Sequence, residues 1–92
     1  MKITINYFGQ LRQITQKDSD SENCDDRTDL TALMNDMASR YGEKFSKIVL
    51  DEAGQLRPSI LISVNGNIAD KKSPPALNDG DQVSLLTAMA GG

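Results

Sequence analysis

The sequence predicts an α+β fold of two layers, with one main helix lying across one face of a mixed sheet. Three observations predict it. The chain carries alternating apolar runs near both ends, "KITINYF" and "QVSLLTA". Between them "TDLTALMNDMASRYG" repeats its apolar residues at helical spacing. An "NG" pair after the run "RPSILISV" is the strongest short signal for a hairpin.

In "KITINYF", Ile3, Ile5 and Tyr7 fall on one side and Lys2, Thr4, Asn6 and Phe8 on the other, as in a strand with one buried face. Gly9 ends it, and Leu11 and Ile14, three apart, predict a short helical turn under the sheet. From Lys17 to Asp26 the chain is polar and acidic, with Cys24 its one apolar residue. A strand pairing with the first could run here, but the composition reads as a solvated edge or loop. A calcium loop is not indicated, because it needs ligands at fixed positions around a turn glycine.

The main helix is clearer. Leu30, Leu33, Met34, Met37, Ala38 and Tyr41 share one face. Thr28 or Asp29 is placed to accept from the first-turn N–H groups, and Gly42 offers a left-handed stop after Arg40. "FSKIVL" adds a short turn, closed by "DEAGQ". Ile60, Ile62 and Val64 then make the buried side of a strand, with Leu61 and Ser63 opposite, and Asn65 and Gly66 turn it back through Ile68. Pro74 and Pro75 bar a strand in the loop that follows, and "NDGD" is a turn with Gly80 free to take positive φ. The last strand sets Val83 and Leu85 against Ser84 and Leu86.

Composition narrows the function. Ninety-two residues suggest one domain spanning 1–92, with no internal repeat. No stretch approaches the ~20 apolar residues of a membrane span, and the opening run lacks the unbroken apolar core of a secretion signal. A cytoplasmic chain with no membrane partner is expected. With no histidine and one cysteine, metal sites and histidine-based nucleophiles have almost nothing to work with. A net charge of −3 without a basic patch argues against nucleic acid. The chain does not look like an enzyme acting alone. Cys24 sits among Glu22, Asp25 and Asp26, which raise a thiol pKa, so it is read as inert. Lys71 and Lys72 are read as loop solubility, since no glycine-rich cradle precedes them.

Parity supplies one surface feature. Phe8, Leu61 and Leu86, one from each main strand, point away from the helix. Three apolar side chains on one uncovered face mark a partner surface better than chance exposure does. The chain then finishes "LLTAMAGG", and two glycines are poor structural material because they lose the most freedom on ordering.

The first strand with "YFGQLRQIT", the "VNG" hairpin, the "ALNDGDQVSLL" approach and the final "AGG" together resemble the MoaD/ThiS family. These are small sulfur carriers with the ubiquitin-like β-grasp fold, and the molybdopterin-synthase small subunit looks the closer branch. The resemblance covers nearly the whole chain. One departure is that Thr87, Ala88 and Met89 stand where family tails commonly carry prolines. The resemblance implies that an activating adenylyltransferase of the MoeB/ThiF type uses ATP to adenylate the terminal carboxylate of Gly92. A sulfur donor then makes it a thiocarboxylate, and a sulfur-receiving enzyme such as the molybdopterin synthase large subunit consumes it. No cofactor is expected on the chain itself. A flexible tail 87–92 would carry Thr87, Ala88, Met89 and Ala90 into the partner, with Gly91 clearing the path of Gly92 and Phe8, Leu61 and Leu86 docking. A modifier joined through Gly92 to target lysines, and a plain interaction domain, stay open as alternatives.

Overall fold

A computed structural model describes residues 1–87. The expected alternation at the start builds strand β1, Lys2–Tyr7, with Ile3, Ile5 and Tyr7 all buried. Gly9, at φ +58°, turns the chain into a short helix α1, Gln10–Thr15, which drops Leu11 into the core. The acidic stretch then forms a strand after all: β2, Ser19–Asn23, runs antiparallel to β1 along the sheet edge. Its residues are poor strand formers. What holds it is side-chain chemistry from elsewhere, described below.

Helix α2, Leu30–Tyr41, buries the expected Leu30, Leu33, Met34, Met37 and Ala38, while Tyr41 is half-buried. Of the two candidate caps, Asp29 is the one used, its carboxylate accepting from the N–H of Ala32 at 2.7 Å. Gly42, at φ +88°, ends this helix and starts the next. The expected short turn is a full helix, α3, Glu43–Val49, which buries Phe45 and Val49. Leu50 and Leu56 then bridge the following loop.

Strand β3, Ile60–Val64, meets β4, Asn67–Ile68, across the Asn65 and Gly66 turn, where both residues have positive φ. That conformation suits the tight hairpin. The loop past Pro74 and Pro75 is irregular, and Gly80 takes positive φ before β5, Gln82–Thr87. The sheet order is β2-β1-β5-β3-β4. β5 lies at the centre, parallel to β1 and antiparallel to β3. Helices cover one face of the sheet, so the domain is a two-layer α+β sandwich with one open face. Among the described residues, no helix is long and apolar enough to cross a membrane.

Candidate functional site

The open face is ordered by register. Residues paired across neighbouring strands share a face. One row across the sheet therefore reads Ser19, Asn6, Ser84, Ser63 and Ile68. The row beside it pairs Leu86 with Leu61. Phe8 follows β1 directly, and its N–H donates to the carbonyl of Leu85 at 3.2 Å, which fixes it beside the upper part of β5. Phe8, Leu61 and Leu86 thus come together, as parity required, around a hollow of about 250 Å³. Ser63 and Ser84 line its polar side.

The burial contrast is sharp. Ile5 is 0 % exposed, whereas Phe8 is 47 % and Leu86 45 % exposed. The reading of the sequence missed one member, Ile68, which is 69 % exposed and lines the same hollow. Its position opposite Ser63 was the available signal, because the "NG" turn fixes the pairing that puts the two on one face.

Thr87 stands differently from its expected place at the start of the tail. It is the last residue of β5 and pairs with Ile60 of β3. A side chain added at Gly9 would meet the Thr87 hydroxyl at 4.0 Å, so the strand end lies against the turn after β1. The chain leaves the centre of the sheet here, beside Phe8 and Leu61. Ala88, Met89, Ala90, Gly91 and Gly92 lie outside the described residues.

On the opposite face, the carboxylates of β2 point toward the helices. Asp20 accepts from the hydroxyls of Tyr7, at 2.7 Å, and Tyr41, and from the Lys17 ammonium at 3.0 Å. Burial pushes the Asp20 carboxyl up, but the bonds from Tyr41, Tyr7 and Lys17 together outweigh it and hold its pKa below the ordinary value. Burial first, and then Asp20, raises the pKa of the Tyr7 hydroxyl. Glu22 is gripped by both terminal nitrogens of Arg40, one at 2.8 Å, and this bonding raises the guanidinium pKa further. Asp18 pairs with Arg12 at 2.6 Å, and Asp25 accepts from the N–H of Arg27. The acidic stretch is therefore spent on anchoring an edge strand. Among the described residues, no three ligating side chains converge.

Cys24 is half-buried against the core, and burial, followed by Glu22 and Asp36, raises its thiol pKa. That is opposite to what sulfur nucleophilicity requires at neutral pH. Lys71 does more than solubilise its loop. Its ammonium donates to the carbonyls of Arg57, at 3.3 Å, Pro58, at 2.9 Å, and Ile60. The β3–β4 pairing continued past Ile68 brings residue 71 beside residue 60, which explains why these carbonyls are in reach.

Comparison with known proteins agrees with this architecture. The ThiS family model matches residues 5–92. Among curated proteins, none matches the chain by sequence. Among solved structures, Urm1 from Trypanosoma brucei is 27% identical, with 99% of this chain and 95% of that one covered and a TM-score of 0.79. Molybdopterin converting factor subunit 1 from Pyrococcus furiosus is 25% identical over 97% of this chain and 99% of that one, with a TM-score of 0.75. SAMP1 from Haloferax volcanii matches both chains over 100% of their length at a TM-score of 0.82 with 17% identity, a likeness of fold alone. With 88 residues, 5 to 92, inside one family model, the chain belongs to the ThiS family, of the ubiquitin-like sulfur-carrier and modifier type.

Proposed function

We propose that this protein is a sulfur carrier, loaded as a thiocarboxylate on Gly92 and serving the synthesis of a molybdopterin-type cofactor in the cytoplasm. The observation that carries this reading is the family match running through Gly92, on a chain whose central strand ends beside an apolar hollow. The Pyrococcus molybdopterin converting factor subunit, one of several similar structures beside Urm1, supports the molybdopterin branch.

The chemistry needs nothing from the folded domain except delivery. The Gly92 carboxylate attacks the α-phosphorus of ATP on an activating enzyme of the MoeB/ThiF type, and pyrophosphate leaves. A hydrosulfide-class donor attacks the acyl carbon, AMP leaves, and loss of the proton gives the thiocarboxylate. A second enzyme, of the molybdopterin synthase large-subunit type, receives the sulfur. Five residues, 88 to 92, follow β5, and five residues reach at most about 17 Å. That suffices to pass a carboxylate into a site in another protein while Phe8, Leu61 and Leu86 dock on its surface. Thr87, at the strand end, and Ala88, Met89 and Ala90, which follow it in sequence, are assigned to contact with that partner. Gly91 keeps the backbone narrow where a Cβ would crowd it.

The test is intact mass after incubation with a ThiF-type enzyme, ATP and a sulfide donor. The full chain gains the difference of one oxygen replaced by sulfur, and a chain lacking Gly92 gains nothing. Adenylation of a chain extended past Gly92, without processing, would end the reading. Conjugates of higher mass on target lysines would show a modifier instead.

A further inference from the structure

The last two residues of β5 hang on one neighbouring strand. Parallel pairing with β1 stops at Tyr7 and Leu85. Antiparallel pairing with β3 runs further, through Leu86 with Leu61 and Thr87 with Ile60. Hydrogen-bonded pairs alternate along an antiparallel ladder. The N–H of Asn65 donates to the carbonyl of Gln82 at 2.8 Å, and stepping from there by twos makes Leu61 and Leu86 the last bonded pair. The strand end that leads toward Gly92 is therefore only as fixed as the first residues of β3.

Those residues have little backbone on their outer side. β4 spans only Asn67–Ile68, and the ladder goes one step past it, with the N–H of Ala69 on the carbonyl of Ile62 at 2.8 Å. The next rung would set the N–H of Lys71 on the carbonyl of Ile60. The chain turns away first, because the Asp70 carboxylate accepts from the N–H groups of Lys72, at 2.9 Å, and Ser73, at 3.4 Å. The side chain of Lys71 then reaches back where its backbone does not. Its ammonium donates to the carbonyl of Ile60, and to those of Pro58 at 2.9 Å and Arg57 at 3.3 Å. The Arg57 carbonyl also takes the N–H of Ile60, at 3.3 Å, so the turn into β3 closes on the same ammonium. An ammonium has three protons to donate, and three carbonyls take them. Among the described residues, no carboxylate lies within ion-pair distance of it.

We propose that Lys71 is a positioning residue for the tail: its ammonium replaces the missing rung beside Ile60 and so fixes the strand end that residues 88 to 92 follow. That the tail is what needs aiming rests on the sulfur-carrier reading above. Bonds from a charged donor are stronger than neutral ones, so a single side chain can hold this turn. Losing it loosens Ile60 and Leu61, and their partners Thr87 and Leu86 have no second strand to hold them. Lys72, the next residue, is exposed and serves as the control.

The experiment follows amide hydrogen exchange by NMR in the wild type, Lys71→Met, Lys71→Arg and Lys72→Met. Methionine keeps the reach of lysine without its charge or donors, and arginine keeps both. In Lys71→Met the Leu86 N–H is expected to exchange about tenfold faster, as for the loss of one charge-assisted bond. The Tyr7 N–H, held by the Asp18 carbonyl at 2.8 Å on the far side of β1, should change by less than about twofold. Lys71→Arg should recover most of the protection, and Lys72→Met should match the wild type. Equal acceleration at Leu86 and Tyr7 would show a role in the whole fold and overturn the proposal. If Lys71→Met does not fold, Lys71→Gln, which keeps a neutral donor, takes its place under the same criteria. In adenylation by a ThiF-type enzyme with ATP, Lys71→Met should lose about tenfold in kcat/KM, and Lys71→Arg should restore it. An unchanged rate for Lys71→Met, with the wild type adenylated, removes the positioning role and leaves the carrier reading standing. A wild type that is never adenylated removes the carrier reading, while the Leu86 exchange still decides whether Lys71 fixes the strand end.

Discussion

Truncating one residue on each side of β1 should separate stability from docking. Ile5 is fully buried, on a strand that hydrogen-bonds on both edges, to β2 and to β5. A buried isoleucine cut to alanine costs about 2–5 kcal/mol, and full burial on an interior strand puts Ile5→Ala near ~3–4. Phe8 is 47 % exposed, so roughly half of its side chain leaves water on folding. Full burial of such a side chain is worth about 1.5–3 kcal/mol, and half of that is ~1. For a domain of this size each kcal/mol moves the melting temperature by about 4–8 °C. Phe8→Ala should therefore melt within ~8 °C of the wild type and Ile5→Ala at least ~12 °C below it. Binding to the activating enzyme should invert the order. An apolar anchor at the centre of an interface costs ~2 kcal/mol or more, around thirtyfold in affinity, when truncated. Thermal melts and titrations on the same two proteins, with Leu61→Ala and Leu33→Ala as a second pair, decide it. If Phe8→Ala and Leu61→Ala unfold the domain as badly as Ile5→Ala, the open face is not open and the docking assignment is wrong.

Two further outcomes follow from the polar side of the sheet. Asp20→Asn removes a charge that three donors share, and should cost about 1–2 kcal/mol at neutral pH. Because the folded pKa of Asp20 lies below the ordinary 3.8, its contribution is complete above that value and disappears as pH falls through the lower folded one. The gap between wild type and variant should thus close in strong acid, which urea unfolding across pH will show; a constant gap refutes the charged role. Cys24→Ser should leave sulfur loading unchanged by intact mass, since burial and Glu22 hold the thiol protonated, and a dead variant would overturn the inert reading.

The strands with an apolar face and the main helix were legible because each carries its own periodicity, as Ile60, Ile62 and Val64 do in β3. β2 was not. Its residues, Ser19 to Asn23, include no apolar side chain, and its anchors Tyr41 and Arg40 are 21 and 18 positions away in sequence. No local window contains that information. Helix α3 was half-legible: Phe45 and Val49 stand four apart as a helix face requires, but the β-branched pair Ile48 and Val49 in so short a run blurs the period. The apolar hollow followed from parity in its three main members, whereas Ile68 needed the hairpin register and Lys71 needed that register carried three residues further.

The network under the sheet and the face above it are two consequences of one register. Strand side chains alternate, so sliding β2 by one residue would exchange Asp20 and Glu22 with the serines and asparagine on its other side. The open face would then carry two carboxylates beside Thr4 and Asn6. In the observed register those positions hold Ser19 and Ser21, and both acids turn inward. Turning them inward is tolerable only because Tyr7, Tyr41, Lys17 and Arg40 meet them there; a half-buried carboxylate without such donors would cost several kcal/mol. The tyrosines do this while packing edge-on against each other and around Phe45, so the acids are received by the rim of the core itself. An outer face depleted of charge is what the centre of a protein interface requires. Facing the acids of an edge strand inward blunts that edge against pairing with another chain and leaves the sheet surface beside the strand end free for a partner.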